Sequence, residues 1–209
     1  MRRLVLCLAL LLVVSTIPMA MADDEHHDRS HRVRVHLSGF NEVHFNGGSL
    51  GPPFAPATLS GAISTEASGR FVARIDAKAQ EIHYKLSYKK LEGAVTQAHI
   101  HFGQRHTVGG IVVWLCQTAA SPAPPAVAAL TPDCPESGPD LVTVEGKITP
   151  AQVLEQLAQG IETGAFDELV DAILAGAAYA NVHSAKFRPG EIRGQLPGKH
   201  DNNHHDKHD

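Results

Sequence analysis

Two histidines two residues apart, His99 and His101, sit inside an apolar run, Gln97-Ala98-His99-Ile100-His101-Phe102-Gly103. In an extended strand, residues i and i+2 project from one face. The pair therefore presents two imidazoles together, while Ala98, Ile100 and Phe102 face the other way. Neutral imidazole is a common transition-metal ligand, and copper and zinc both suit it. A third imidazole, His183, lies far downstream in Tyr179-Ala180-Asn181-Val182-His183-Ser184. The chemistry hinges on whether His99, His101 and His183 meet. If they share one ion, binding should weaken as pH falls toward about 6 and the rings protonate. His106, in the loop behind the pair, is a fourth candidate, with plain exposure the simpler expectation. His36 and His83 fall on outward strand positions and His44 in a loop.

His183 belongs to a polar ladder. Tyr179, Asn181 and His183 share one face of a predicted strand, and Glu191, Arg193 and Gln195 share one face of the next. Antiparallel pairing puts His183 opposite Glu191, Asn181 opposite Arg193 and Tyr179 opposite Gln195. One reading makes this a site: His183 as ligand, Asn181 or Glu191 orienting it, and Arg193 as a cation that guides or pairs an anion. The other makes it a hydrogen-bonded hairpin that fixes register. Spacing leans toward hairpin structure for the ladder and leaves both readings open for the His-x-His pair.

The elements that must position these residues read as short strands. Val33, Val35 and Leu37 alternate with polar residues; 58–64, 70–76 and 81–88 follow, then the His99/His101 stretch, 111–116 and 141–148. Alternation of period two marks half-buried strands, whereas 111–116 is apolar on both faces and reads as central. Residues 38–43 leave the sheet, and 46–56, with its glycines and prolines, reads as a loop. Two helices are expected next. One follows the cap Thr149-Pro150 over about 150–158, with Val153, Leu154 and Leu157 as its stripe. The other runs over about 165–175 and is closed by Gly176. Residues 179–183 and 191–196 are the last two strands. The pattern is all-β, an antiparallel β-sandwich with a short two-helix insertion before the last hairpin.

The rest of the chain bounds the setting. Residues 1–22, with Arg2 and Arg3, an apolar stretch from Leu4 and Ala20-Met21-Ala22, have the layout of a cleaved signal peptide. Residues 23–32 and 197–209 are His- and Asp-bearing and are expected to be disordered. They leave one domain at 33–196, exported to a secreted or periplasmic location. Removal of the leader takes Cys7 with it and leaves Cys116 and Cys134, which an oxidising compartment would join. Lys and Arg number 18 against 22 Asp and Glu, a net charge of −4. Loss of Arg2 and Arg3 makes it two units more negative. That argues against nucleic acid or an anionic membrane as the main partner. No Walker loop, C-x-x-C, H-E-x-x-H or Rossmann pattern is present. No segment after the leader is long and apolar enough to span a bilayer as a helix.

Taken in order, Leu37-Ser38-Gly39 with Asn41-Glu42-Val43, Ala98-His99-Ile100-His101, Gly110-Ile111-Val112-Val113, Tyr179 to Ser184 and Pro189-Gly190-Glu191-Ile192-Arg193-Gly194-Gln195 resemble the CHRD (chordin) domain. The resemblance implies an immunoglobulin-like or dismutase-like β-sandwich and no particular activity. A shorter likeness, His99-Ile100-His101-Phe102-Gly103, is similar to the copper-binding motif of copper–zinc superoxide dismutase. The acidic residue before Phe is missing, as is the long zinc-carrying loop. This likeness therefore implies a copper-only site, with His183 as third ligand.

Two functional readings follow. The first is a secreted, non-enzymatic binding or structural module, with or without a copper or zinc ion, and with an extracellular protein or small ligand as partner. The second is a copper-dependent, dismutase-like redox enzyme.

Overall fold

The computed structural model describes residues 30–46 and 58–198. The expected leader, the tail from residue 199 and most of 23–32 lie outside these. Ser30–Ser38 form β1, so Ser30, His31 and Arg32 belong to the first strand, earlier than the expected start at Val33. A single 3-10 turn, Gly39–Asn41, leads to β2 (Val43–Asn46), which pairs with β3 (Thr58–Gly61) as a separate hairpin. His44 is therefore a strand residue opposite Ser60, not a loop residue, and the 58–64 strand stops at Gly61. Then come β4 (Ser68–Asp76), β5 (Glu81–Lys89), β6 (Val95–Phe102), β7 (Gly110–Cys116), a one-turn α1 (Pro125–Ala128), β8 (Val142–Ile148), α2 (Phe166–Leu174), β9 (Ala178–Ser184) and β10 (Ile192–Gln195).

Eight strands form one antiparallel sheet in the order β7-β6-β9-β10-β1-β4-β5-β8. It rolls up so that β7 and β8 approach without pairing, a nearly closed barrel-like sandwich. The join at its middle is thin: β10 and β1 share the register pair Ser38 and Arg193. Gly194 permits it, because a Cβ there would lie 2.6 Å from the His36 carbonyl oxygen. The sheet is thus two four-stranded halves, β7-β6-β9-β10 and β1-β4-β5-β8, facing each other across one core. Leu37, Phe71, Ile75, Ile82, Leu86, Ile100 and Val182 fill that core. The Tyr84 hydroxyl on β5 crosses it to donate to the Leu115 carbonyl on β7 at 2.6 Å.

The insertion before the last hairpin is present, but only its second member is a helix. Asp167 and Glu168 in the first turn of α2 favour its dipole. Phe166, Leu169, Val170 and Ile173 are buried, and Gly176, at φ 71°, ends the helical segment. The expected helix over 150–158 is a 3-10 turn, Pro150–Gln152, followed by extended chain and another turn at Leu157–Gln159. Val153 is extended, and the Leu154 amide leaves the helical pattern to donate to the Val112 carbonyl. Leu157, assigned to an apolar stripe, is 66% exposed. Pairing with β7 outweighs helical spacing there.

Candidate metal centre

On β6, Ala98 and Ile100 join the core, so His99 and His101 project from the outer face of the first half-sheet. Across β6 and β9, His99 pairs with Asn181, His101 with Tyr179 and Gln97 with His183. His183 is therefore the diagonal neighbour of His99, within reach of its ring. The β6–β7 register also slips twice, between Ala98 and His99 and between Ile100 and His101. Such irregularities turn side chains away from regular alternation.

The three histidines converge. One nitrogen from each lies within 4.8 Å of the others. Nδ1 of His99 is 3.2 Å from Nε2 of His183. Two imidazole nitrogens about 2.0–2.1 Å from one tetrahedral ion would stand about 3.3 Å apart, so this pair already has a ligand-like spacing. A separation at the 4.8 Å limit has to close by roughly 1.5 Å.

Two of the lone pairs are fixed by backbone. Nδ1 of His101 is 3.0 Å from the Gly109 carbonyl, and Nδ1 of His183 is 2.7 Å from the Arg188 carbonyl. A carbonyl only accepts, so both Nδ1 atoms carry hydrogen and both Nε2 atoms carry lone pairs. Nε2 of His101 is buried with no hydrogen-bond partner, as is Nε2 of His99. An unpartnered buried acceptor is unfavourable, and a cation at the centre of the three rings would satisfy the one on His101. His99 adapts least readily, because Nδ1 must lose the hydrogen it shares with His183 before it can ligate. All three candidate donors are imidazole nitrogens, a set suited to copper or zinc.

The surroundings are buried and aromatic. Trp114 meets His99 edge-on at 4.3 Å between ring centroids, and Tyr179 stacks on His101 at 4.7 Å. Burial lowers the pKa of His99 well below the ordinary histidine value, with His183 and His101 adding to the effect. Burial likewise takes His101 down to about 3, partly opposed by its Gly109 hydrogen bond. Both rings thus stay neutral and ligand-competent far below pH 6. This corrects the expectation that ion binding weakens near that pH on their account.

The ladder register is as expected, with Asn181 opposite Arg193 and Tyr179 opposite Gln195. Its side chains do other work than the sequence suggested. Asn181 donates to Glu42, while Glu191 accepts from Thr65 Oγ1 at 2.8 Å and the Glu92 amide at 2.9 Å. The group that orients His183 is the Arg188 carbonyl. Arg193 is 2% exposed and does not face an entering anion. It donates to the Thr107 carbonyl at 2.7 Å and the Gln104 carbonyl at 3.1 Å, with its guanidinium carbon 3.4 Å from the Tyr179 ring centroid. Arg193 thereby ties down the 103–109 loop whose Gly109 carbonyl orients His101.

His106 is exposed in that loop, and His36 and His83 are exposed on the other half-sheet. Glu42 was not singled out as a site residue, although it lies within the Asn41-Glu42-Val43 motif of the family resemblance. The carbonyls of Gly109 and Arg188 leave no mark in side-chain patterns. Gly47-Gly48-Ser49-Leu50-Gly51 has the G-x-S-x-G spacing of a serine-nucleophile turn. That turn needs a strand followed by a helix, and this string lies outside the described residues.

A rolled antiparallel sheet with three buried histidines on the outer face of one half defines the class: a β-sandwich module with a metal-ligand-like centre. The chain belongs to the CHRD domain family, whose model matches residues 33–196. No curated protein and no solved structure matches it.

Proposed function

We propose that this chain is an exported CHRD module that binds one transition-metal ion through His99, His101 and His183 and acts by binding rather than by turnover. The observation that carries the reading is the convergence of three buried imidazoles, two of them with Nδ1 turned to a backbone carbonyl so that Nε2 faces the cluster. Copper is the first expectation, since imidazole sites hold it more tightly than zinc at equal availability. Export is supported by the leader-like residues 1–22 and by Cys116 and Cys134, whose Cα atoms lie 4.9 Å apart, within disulfide reach. The partner is an extracellular protein or small ligand.

The test is metal content by mass spectrometry of the full chain purified without added metal and then titrated with copper or zinc. It is compared with a variant in which His99, His101 and His183 are all alanine. The His-bearing ends are common to both, so a difference of one equivalent belongs to this centre. Equal content would overturn the reading.

A second reading, a copper redox enzyme, has one observation in its favour: three ligands leave a coordination position for a small molecule. Copper that cycles between oxidation states, with superoxide consumption lost in His183→Ala, would favour it.

A further inference from the structure

The outer face of the second half-sheet carries a different array. Val72, on β4, is short and half-buried, and long cations surround it. Arg70 and Arg74 lie two residues away along its own strand, Arg34 is its partner on β1, and Lys85 its partner on β5. Strand geometry sets these arms at about 7 Å along the sheet and about 5 Å across it. One row further on, Arg32, Arg74, His83 and Lys147 stand in register across four strands. Arg32, Val72, Arg74, His83, Lys85 and Glu145 are among the residues lining an open depression of about 290 Å³.

Like charges directly opposite across strands are unfavourable, and Arg32 opposite Arg74 is such a pair. Of the carboxylates on this face, Glu145 pairs with Lys85 at 2.7 Å, Glu81 with Lys147 at 2.7 Å and His83 at 3.0 Å, and Asp76, two residues beyond Arg74, accepts from the Ala79 amide at 3.0 Å. Among the described residues, Arg32, Arg34, Arg70 and Arg74 have no ion pair. Four exposed arginines therefore converge around an apolar floor in a chain whose net charge is −4.

We infer that this face is a binding site for an acidic polysaccharide, whose regularly spaced oxyanions engage Arg34, Arg70 and Arg74 while the C–H face of a sugar ring rests on Val72. The arginine fork matches planar carboxylate and sulfate groups. The alternatives fit less well. Single-stranded nucleic acid calls for aromatic stacking platforms, and the outward positions of β1, β4, β5 and β8 hold no Phe, Tyr or Trp. A flat four-stranded face cannot enter a duplex groove that admits a helix or a two-stranded ribbon. An interfacial membrane site buries an apolar wedge, which Val72 alone does not supply. The inference is independent of the metal centre, which lies on the other half-sheet.

Binding of the full chain to a heparin octasaccharide and to a polygalacturonate oligosaccharide tests it. Uncharged dextran, a single-stranded oligonucleotide and phosphatidylserine vesicles are the comparison arms. Affinity for at least one acidic saccharide should fall about tenfold or more between 50 and 200 mM salt, as counterion release requires. Arg74→Glu places a carboxylate opposite Arg32, so the variant should melt no lower than the parent while losing at least tenfold in saccharide affinity. Arg34→Ser with Arg70→Ser should lose as much, and Arg105→Ser, in the loop over the other half-sheet, should lose nothing. Failure of both acidic saccharides to bind, or an unchanged affinity in a folded Arg74→Glu variant, would overturn the proposal. So would oligonucleotide or vesicles binding as tightly with the same dependence on Arg74.

Discussion

The two half-sheets have the same number of strands and share one core, yet they treat polar side chains in opposite ways. In β1-β4-β5-β8 the outer face is open. The strands alternate buried and exposed residues, and Arg, Lys and His stand in water. In β7-β6-β9-β10 the outer face is covered by loops. Every residue of β9 and β10 is buried, and the outward residues among them are Tyr, Asn, His, Arg and Gln. A buried polar group needs a partner, and loop carbonyls supply most of them. Identical residue types therefore carry different consequences. His83 pairs with Glu81 at the surface, while His183 meets His99 in a buried cluster. Arg74 is solvated, while Arg193 is locked under a loop.

The sharpest way to break the comparison is to remove a histidine from each half. His183→Ala should abolish stoichiometric copper or zinc binding, a loss beyond the roughly 10–100-fold that follows removal of an outer-shell partner. His83→Ala should leave affinity unchanged. Isothermal titration of both variants would show it, and equal affinities would remove the distinction. Arginine offers the next contrast. Arg193→Ala strands the carbonyls of Thr107 and Gln104 and uncovers Tyr179, which should cost on the order of 2–4 kcal/mol in urea unfolding. Arg74→Ala should stay within about 0.5 kcal/mol.

The same contrast explains what was legible in the sequence. Where one face meets water, period-two alternation is unambiguous, and β4 and β5 fall close to where spacing placed them. The His99, His101 and His183 convergence followed from parity, because the i, i+2 rule and the hairpin register survive burial. The roles of Asn181, Glu191 and Arg193 did not follow, since their partners are Glu42, Thr65 and the carbonyls of a loop more than 80 residues away. The 150–158 segment misled for a related reason. Leu154 packs against Trp114 of β7 and its amide pairs with Val112 there, while Leu157 stays exposed, so helical spacing was coincidental.

Covalent closure is also confined to the covered half. Cys116 ends β7, and Cys134 lies 18 residues on, at the far end of the segment that packs Ala123 and Val127 with Trp114. Reduction should lower stability by about 3 kcal/mol in the chain-entropy model and loosen the cover over Trp114, and through it His99. Tryptophan emission should therefore shift on reduction, since Trp114 is the sole tryptophan. Two free thiols in unreduced, unfolded protein would contradict the bridge.

Acid should separate the halves with the smallest effect per step. An unfolded histidine titrates near 6.5, while His99 and His101 in the folded chain sit below it, His101 at about 3. The unfolded chain therefore binds more protons once pH drops below about 6.5, and stability falls with pH in that range. The slope approaches roughly 1.4 kcal/mol per pH unit for each such ring, and His101 contributes until pH reaches about 3. The metal-free chain should thus lose melting temperature steadily from pH 6.5 to 4.5. His101→Gln should flatten this fall, since glutamine has no proton to gain on unfolding. A bound ion holds the rings neutral and binds only the folded chain, so the metal-loaded protein should start higher at pH 6.5 and keep the steeper acid limb. A metal-free curve flat over this range would show that burial does not hold His99 and His101 below the ordinary histidine range.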